Sequence, residues 1–244
     1  MKTILLIILM LFMVPMSILT ADSFDDFDLL NDTDSDSQRS VYDPFSRYNR
    51  LMFSFNLSVY KVIVRPIVNT YKLLTPYAFR YGVKNAYHNI LFPIRFVNNV
   101  LQFKFHDSGI ETLRFLTNST IGCLGTLDIA KAHFKLYPKN EDFGQTLGYW
   151  GVSSGPYIVL PFLGPSNLRD LTGMVTDIAI NPLRVYGSDT RNLVYENTPF
   201  MVTTQINALS FQHVQMDKLL SDSIDSYSFV RRAYTDNRKN DISK

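Results

Sequence analysis

The chain has 244 residues, 46% of them hydrophobic and 19% charged, so it is long enough to bury a core and is not disordered throughout. Its single cysteine, Cys123, excludes an intramolecular disulfide and a cysteine-cluster metal site. The net charge of +2 divides into +1 over residues 1–21, −7 over residues 22–45 and +8 over residues 46–244. The positive charge of residues 46–244 favours anionic partners such as nucleic acid or phospholipid surfaces, although surplus charge can also simply increase solubility.

The first 21 residues have the layout of an export signal. Lys2 precedes an uncharged run from Thr3 to Ala21, which ends in a small residue. We therefore expect a signal peptide at 1–21 and no nucleic-acid partner; a retained membrane anchor is the alternative. The run ends as a bacterial lipoprotein signal does, but Asp22 stands where the lipid-accepting cysteine would be. We expect export without acylation at that position.

Residues 22–42 form an acidic segment rich in Asp and Ser. Such a composition lacks the apolar side chains that would offset the entropy lost on folding. We expect a disordered tether here, before a folded domain at 43–240.

From residue 43 onward, the pattern is helical and punctuated by prolines, which predicts an all-α, compact bundle of about ten helices with proline-rich connections. Residues 155–165 are the exception, because this apolar run is bounded by Gly and Pro at both ends and predicts a rigid extended segment. The predicted helices span residues 45–64, 67–74, 78–90, 94–104, 108–119, 122–132, 141–149, 167–181, 200–212 and 217–238.

The first predicted helix, 45–64, separates into a narrow cationic stripe and a broad apolar, Phe-rich side at 100° per residue. Such a helix suits the membrane interface, with basic groups at phosphates and rings among acyl chains. A helix buried on most sides in the protein core is the alternative. The candidate membrane-interface residues are Arg47, Arg50, Lys61, Arg65 and Phe55.

Two amides interrupt the apolar side of this helix. Asn49 and Asn56 are seven residues apart and therefore project in nearly the same direction. Because a buried amide without hydrogen bonds is costly, they either bond neighbouring backbone or face a polar lumen enclosed by helices.

One sequence pattern points to catalysis. Residues 151–155, GVSSG, match the nucleophile elbow of a serine hydrolase, with Ser153 as nucleophile and His213 as the downstream base. An elbow requires a strand before the serine and a helix after it, whereas a predicted helix precedes Ser153 and Gly155-Pro156 follow it. A glycine-serine turn is therefore the favoured interpretation. The histidines show no metal-binding spacing, so we expect no metal and no cofactor.

Several blocks in order along residues 43–240 resemble the MlaA/VacJ family of Gram-negative outer-membrane lipid-asymmetry proteins. The opening block is DPFSRYNRLMFSFN at 43–56, followed by Arg65-Pro66. The others are FVN at 96–98, LQ at 101–102, RFLTNSTIG at 114–122, EDFGQTLG at 141–148, GPYIVLP at 155–161, LRD at 168–170 and FVRRAY at 229–234.

This resemblance implies a ring-like bundle of helices in the inner leaflet of the outer membrane. The ring would enclose an amphipathic channel that passes mislocalised phospholipid from the outer leaflet towards the periplasm, without enzymatic chemistry. The implied partners are phospholipid, a trimeric porin, a soluble periplasmic lipid carrier and an inner-membrane ABC transporter. The candidate residues for the lipid path are Asn49, Phe53, Asn56, Tyr157, Leu160 and Pro161.

Two other functions remain open from the sequence. One is an exported serine lipase or phospholipase that uses Ser153, and the other is an envelope structural or adhesion module that moves no lipid. Because Asp22 replaces the family's acylated cysteine, retention at the membrane would depend on the apolar ring, an uncleaved signal or a partner.

Overall fold

The computed structural model describes the backbone of residues 42–185 and 190–244, and the side chains of these residues outside 184–201. The predicted signal peptide and nearly all of the predicted tether lie outside the described residues. The described chain is mostly helical, which confirms the all-α class; the ring-like arrangement stays a prediction. In chain order the elements are α1 (Ser46–Val59), a π-helical segment (Tyr60–Val64), α2 (Arg65–Leu74), α3 (Tyr77–Ile90), α4 (Phe92–Leu101), α5 (Phe105–Thr120), α6 (Ile129–Phe134), α7 (Phe143–Tyr149), β1 (Tyr157–Leu160), β2 (Gly164–Asn167), α8 (Leu168–Ala179), α9 (Pro182–Val185), α10 (Thr190–Asp222) and α11 (Ser226–Ser243).

The first helix is longer than the sequence predicts, because α1, the π-helical segment and α2 form one continuous helix from Ser46 to Leu74. Pro66 lacks an amide hydrogen and would break a regular α-helix at this point. The π-helical turn absorbs the disruption, since the Arg65 amide donates to the Tyr60 carbonyl, five residues back. The predicted end of the helix at residue 64 was therefore wrong.

The last two helices are also divided differently from the prediction. Nothing between residues 212 and 217 interrupts α10, which runs through Pro199 to Asp222. The break falls at residues 223–225, where the Asp225 side chain caps α11 by accepting from the Ser228 amide. The predicted helix at 122–132 was too early as well, because turns occupy most of residues 121–127 and α6 begins at Ile129.

The extended segment predicted at residues 155–165 is confirmed only over β1, because the chain turns back at residues 161–163 and forms a small antiparallel hairpin. Tyr157 of β1 pairs with Asn167 of β2, and Leu160 pairs with Gly164. Phe162 in the turn and Gly164 at the start of β2 have positive φ, and the chain reverses within the three residues 161–163. The sequence prediction lacked this pairing because Gly and Pro dominate β2 and give it no alternating pattern.

The interior of the described part is largely polar. Two small apolar clusters exist, one around Tyr60, Val64, Val68 and Leu209, and one around Tyr157, Val159, Tyr227 and Tyr234. Buried polar and charged side chains outnumber buried apolar ones among the described residues. Between α4 and α5, for example, Glu111 is fully buried and pairs with Arg95 at 2.7 Å.

A charged network fastens α11 to α7 and α8. The Arg238 guanidinium donates to Asp170 at 2.8 Å and to Asp142 at 2.6 Å. Burial raises the pKa of Asp170, but Arg238 outweighs that effect and holds the pKa below its ordinary value. Tyr234 adds a hydrogen bond to Asp170 at 2.5 Å. The end of the domain is thus held by buried charge pairs as well as by apolar packing.

Candidate functional site

Asn49 binds the free edge of the hairpin. Its side-chain oxygen accepts from the Val159 amide at 2.8 Å, and its nitrogen donates to the Tyr157 carbonyl at 3.1 Å. The same nitrogen donates to the Asp43 carboxylate at 2.8 Å. The side chain is completely buried, and both of its polar atoms are bonded.

Asn56 repeats this arrangement two helical turns later. Its nitrogen donates to the Leu160 carbonyl at 2.8 Å, and its oxygen accepts from the Phe162 amide at 2.7 Å. The two amides therefore hold the edge of β1 and the turn after it, as a third strand would. Of the two alternatives from the sequence, bonding to neighbouring backbone is the one observed. Whether this side of α1 also adjoins a lipid path stays a prediction.

The other candidate residues of the lipid path lie around the hairpin. Phe53 and Tyr157 both contact the Tyr227 ring edge to face, with centroid distances of 5.8 and 6.4 Å. Leu160 and Pro161 are half-buried at the end of β1 and the start of the turn. Five of the six candidates are thus in one contact region between α1, the hairpin and α11, namely Asn49, Phe53, Asn56, Tyr157 and Leu160.

A carboxylate that the sequence analysis missed completes this region. Asp43, just before α1, accepts from the Tyr227 hydroxyl and from Arg231 of α11, the latter at 2.9 Å. Burial and the bond to Asp43 raise the pKa of Tyr227 to about 12. The acidic segment gave no signal for this role, because Asp43 is one of eight aspartates between residues 22 and 45.

The cationic stripe of the first helix divides into paired and unpaired groups. Arg50 pairs with Asp225 at 2.9 Å and lies over the Tyr227 ring, and Arg65 pairs with Asp217 at 3.0 Å. The hydrogen bond from Arg50 lowers the pKa of Asp225. Arg47 and Lys61 are exposed, and no described carboxylate pairs with either. Two of the four candidate interface cations are therefore engaged within the protein.

The outer surface carries many large apolar side chains. On the long helix, Val62 and Leu73 are 74% and 85% exposed, and Phe55, the remaining candidate interface residue, is 40% exposed. Exposed apolar residues continue on other elements, including Phe79, Phe105, Leu116 and Leu124. A surface with this much exposed apolar area marks a membrane or partner contact. The alternative of a first helix buried on most sides is wrong, because little of Ser46–Leu74 is buried.

The long helix also has the length of a membrane span. Ser46–Leu74 is the one helix of the described part that is long and apolar enough to cross a bilayer, by length and composition alone.

Ser153 does not stand in a nucleophile elbow. The helix α7 precedes it and the strand β1 follows it, which is the reverse of the order that an elbow requires. The residue is exposed, and Nε2 of the other candidate, His213, lies 3.2 Å from the Lys72 ammonium. Residues 151–155 instead form an irregular connection between α7 and β1, with positive φ at Gly151 and Gly155.

The described residues also contain no group of three His, Cys, Asp or Glu side chains placed to hold a metal ion.

Comparisons with known proteins give a consistent set of relatives. A family model described as MlaA lipoprotein matches residues 41–241. An Escherichia coli K12 protein named "Intermembrane phospholipid transport system lipoprotein MlaA" is 32% identical over 200 residues, which cover 81% of this chain and 77% of the relative. A Rickettsia bellii protein described as uncharacterized is 34% identical over 196 residues, covering 80% and 74% of the two chains.

A solved structure is similar over almost its whole length. It is described as "Structural basis for maintenance of bacterial outer membrane lipid asymmetry", and it aligns with a TM-score of 0.69 and 30% identity. The alignment covers 82% of this chain and 98% of the other.

Proposed function

Because the chain belongs to the MlaA lipoprotein family, we propose that it is an envelope component of an intermembrane phospholipid transport system. In this proposal it removes mislocalised phospholipid from the outer leaflet of the outer membrane. The lipid passes through an amphipathic channel to a periplasmic lipid carrier. The related Escherichia coli protein is named for intermembrane phospholipid transport, and the similar solved structure concerns outer-membrane lipid asymmetry.

One observation carries the proposal, namely the reversed distribution of apolar and polar side chains. Large apolar residues such as Val62 and Leu73 are exposed, whereas Asn49, Glu111 and Arg114 are buried. In water, exposure of so much apolar area would be unfavourable by about 25 cal/mol per Å². Acyl chains around the protein remove this penalty, while the polar interior provides the groups that a lipid headgroup needs on its way.

The hairpin supplies a rigid wall for such a path. Asn49 and Asn56 fix β1 to α1 through four hydrogen bonds to backbone groups. Phe53, Tyr157, Leu160 and Pro161 lie on these same elements. We assign this side of α1 and the hairpin to bracing the lipid path, and the exposed Arg47 and Lys61 to lipid phosphates at the interface.

The proposed partners follow from the transport route. Phospholipid arrives from the outer membrane, a trimeric porin holds the protein beside the outer leaflet, and a soluble carrier passes lipid to an inner-membrane ABC transporter. Asp22 stands in place of the acylated cysteine. Without an acyl anchor at this position, the protein is held at the outer membrane by its exposed apolar surface together with the signal segment or the porin.

The test measures the amount of phospholipid in the outer leaflet of the outer membrane, in a strain from which the gene for this protein has been deleted. Surface phospholipid, measured by labelling or by susceptibility to an added phospholipase, is expected to rise in the deletion strain. It is expected to return to the parental level when the full chain is supplied. Unchanged surface phospholipid in the deletion strain would contradict transport and favour a structural role.

Ser153→Ala is the matched control for the lipase alternative. This exposed side chain makes no contact that the proposed transport uses, so the variant is expected to restore the deletion strain as the parent chain does. Loss of restoration, together with lipid hydrolysis by the purified parent chain alone, would favour the lipase.

A further inference from the structure

The long helix and the segment that precedes it carry opposite charges. Ser46–Leu74 contains five Lys or Arg residues and no Asp or Glu, whereas residues 22–42 contain seven aspartates and one arginine. We propose that this acidic segment binds the exposed cationic face of the long helix and that anionic phospholipid displaces it. The inference rests on the proposed function, and it adds a regulation to the contact between this face and lipid phosphates.

The cationic face consists of Arg47, Leu51, Ser54, Ser58 and Lys61, which are all exposed. These residues project to one side of the helix, within about 40° of Arg47, at 100° per residue. No described carboxylate pairs with Arg47 or Lys61. The two cations lie about 21 Å apart along the helix axis. The face therefore presents an unpaired cation at each end.

The carboxylates that the structure places beside the long helix are already engaged. Each of three aspartates is paired with an arginine, so none of them is left for Arg47 or Lys61. The pairs are Asp43–Arg231 at 2.9 Å, Asp225–Arg50 at 2.9 Å and Asp217–Arg65 at 3.0 Å.

The start of α1 is a second attraction for negative charge. The helix begins without a side-chain cap and has no acidic residue in its first turn. A helix N-terminus carries partial positive charge, which carboxylates nearby complement. The acidic segment joins the described part at Tyr42, which is 75% exposed and lies four residues before α1 begins. Its aspartates are therefore tied to the end of the helix that lacks acidic groups.

The segment is long enough to cover the whole face. An extended chain advances about 3.3 Å per residue, so Asp36 reaches about 20 Å from Tyr42 and Asp32 reaches about 33 Å. Lys61 lies about 22 Å along the helix from Ser46. Aspartates in this part of the segment can consequently meet the cations at both ends of the face.

Charge and attachment favour this segment as the occupant in the absence of lipid. Its net charge of −6 complements the face, and its attachment at Tyr42 keeps it at a high effective concentration there. Exposed ion pairs are weak and are screened by salt, so a surface rich in anionic phospholipid competes with them. The segment thus covers the cationic face away from such a surface and leaves it on arrival.

A carbodiimide cross-link tests the contact in the full chain, purified in a nonionic detergent at low salt. The reagent joins a carboxylate to an amine where the two groups touch, and mass spectrometry of a digest identifies the joined peptides. We expect residues 22–42 to be joined to Lys61. Arg47→Lys keeps the charge and supplies an amine, so it is expected to add a second link. Lys61→Arg is expected to abolish the first.

Two controls accompany the cross-link. Lys131, an exposed cation on α6, is expected to remain unlinked to the acidic segment. Salt at about 0.5 M, where the screening length falls to about 4 Å, is expected to remove the links to the cationic face.

Vesicle binding tests the displacement by lipid. One variant replaces three aspartates of the acidic segment by Asn, and a matched control makes the same change of charge on α10 and α11. We expect the variant to bind vesicles of phosphatidylglycerol and phosphatidylcholine about fivefold more tightly than the control, because ion pairs that compete with lipid are lost. Both are expected to bind phosphatidylcholine vesicles equally. The substitutions are Asp32→Asn, Asp34→Asn and Asp36→Asn in the variant, and Asp222→Asn, Asp236→Asn and Asp241→Asn in the control.

Absence of links from residues 22–42 to Lys61 in the parent chain, and to position 47 in Arg47→Lys, would overturn the contact. Links found only between two copies of the chain would overturn binding within one molecule. Equal affinity of variant and control for the anionic vesicles, or a cross-link that these vesicles leave unchanged, would overturn displacement by lipid. The proposed function fails separately, because that failure leaves surface phospholipid unchanged in the deletion strain whatever the cross-link shows.

Discussion

At the scale of single residues, two asparagines decide how the hairpin is attached to the first helix. A side-chain amide has both a donor and an acceptor, so it can bind the backbone of a strand edge as another strand does. Asn49 and Asn56 do this with the same pattern, two turns apart. The hairpin, which has only two strands, thereby gains a partner on its open edge.

Replacing Asn49 by Leu is expected to destabilise the domain strongly. The change leaves the Val159 amide and the Tyr157 carbonyl without their partners, and each buried unpaired group costs about 1–3 kcal/mol. We expect the free energy of unfolding in detergent to fall by about 3 kcal/mol, measured by chemical denaturation. Asn69→Leu, at an exposed position of α2, is the control and is expected to change it by less than about 0.5 kcal/mol. A loss below about 1 kcal/mol for Asn49→Leu would show that the two backbone groups find other partners.

The sequence was informative about these asparagines but not about their partners. Spacing alone placed both amides on one side of the helix and left bonding to nearby backbone or exposure to a lumen as the choices. Their backbone acceptors and donors lie more than 100 residues away in the chain. Such long-range contacts leave no local pattern, which is also why Asp43 was missed.

At the scale of elements, α7 and α8 approach so closely that no side chain fits between them. A Cβ atom on Gly173 would lie 2.3 Å from the Gly144 nitrogen and 2.6 Å from the Gly144 Cα. Both neighbours are backbone atoms, which cannot rotate away. This contact also places Asp142 and Asp170, at the starts of the two helices, around the single guanidinium of Arg238.

Gly173→Ala is therefore expected to force the two helices apart. Overpacking of this kind costs about 1–3 kcal/mol, and separation of the helices also weakens the Arg238 bonds. The melting temperature is expected to fall by several degrees. Gly109→Ala in α5 is the matched control, because a Cβ there meets nothing within 4 Å. Removing a glycine from a helix interior is expected to raise stability by about 0.5–1 kcal/mol. Equal melting temperatures for the two variants would refute the close contact.

The sequence located the ends of some helices accurately and those of others poorly. Helices with an apolar period and a flanking Gly or Pro, such as α7 and α8, were located to within two or three residues. Two of the errors came from treating Pro66 and Pro199 as stop signals. Pro66 is accommodated by a π-helical turn, and the backbone of α10 continues through Pro199.

At the scale of the whole described part, large apolar side chains that are exposed outnumber those that are buried. A hydrophobic content of 46% predicts a core, but composition does not tell which side of each helix is buried. Besides the family resemblance and the basic charge of residues 46–244, the cationic stripe of the first helix was the sequence feature that indicated a membrane. Even there, only the structure distinguishes the unpaired Arg47 and Lys61 from Arg50 and Arg65, which pair with aspartates.

Charges placed on the outer apolar surface are expected to release the protein from membranes. Val62→Asp combined with Leu73→Asp changes two exposed positions of the long helix. A charged side chain in the hydrocarbon region costs about 2.5–3.5 kcal/mol each. We expect the variant to move from the pellet to the supernatant when it is sedimented with phospholipid vesicles, with its helical circular dichroism unchanged. The same positions changed to Ala are the control and are expected to remain with the vesicles. Retention of the aspartate variant would mean that this face of the helix does not contact lipid.

The bonds between Asp43 and α11 also impose an order in time on the formation of the domain. The partners of this carboxylate, Tyr227 and Arg231, lie 184 and 188 residues further along the chain. During synthesis, residue 43 is made long before these partners, and Asp142 and Asp170 are made long before Arg238. The domain consequently closes only after almost all of it has been synthesised. We expect a chain interrupted before residue 227 to leave Asp43 and Asp142 without the arginines that pair with them in the complete domain.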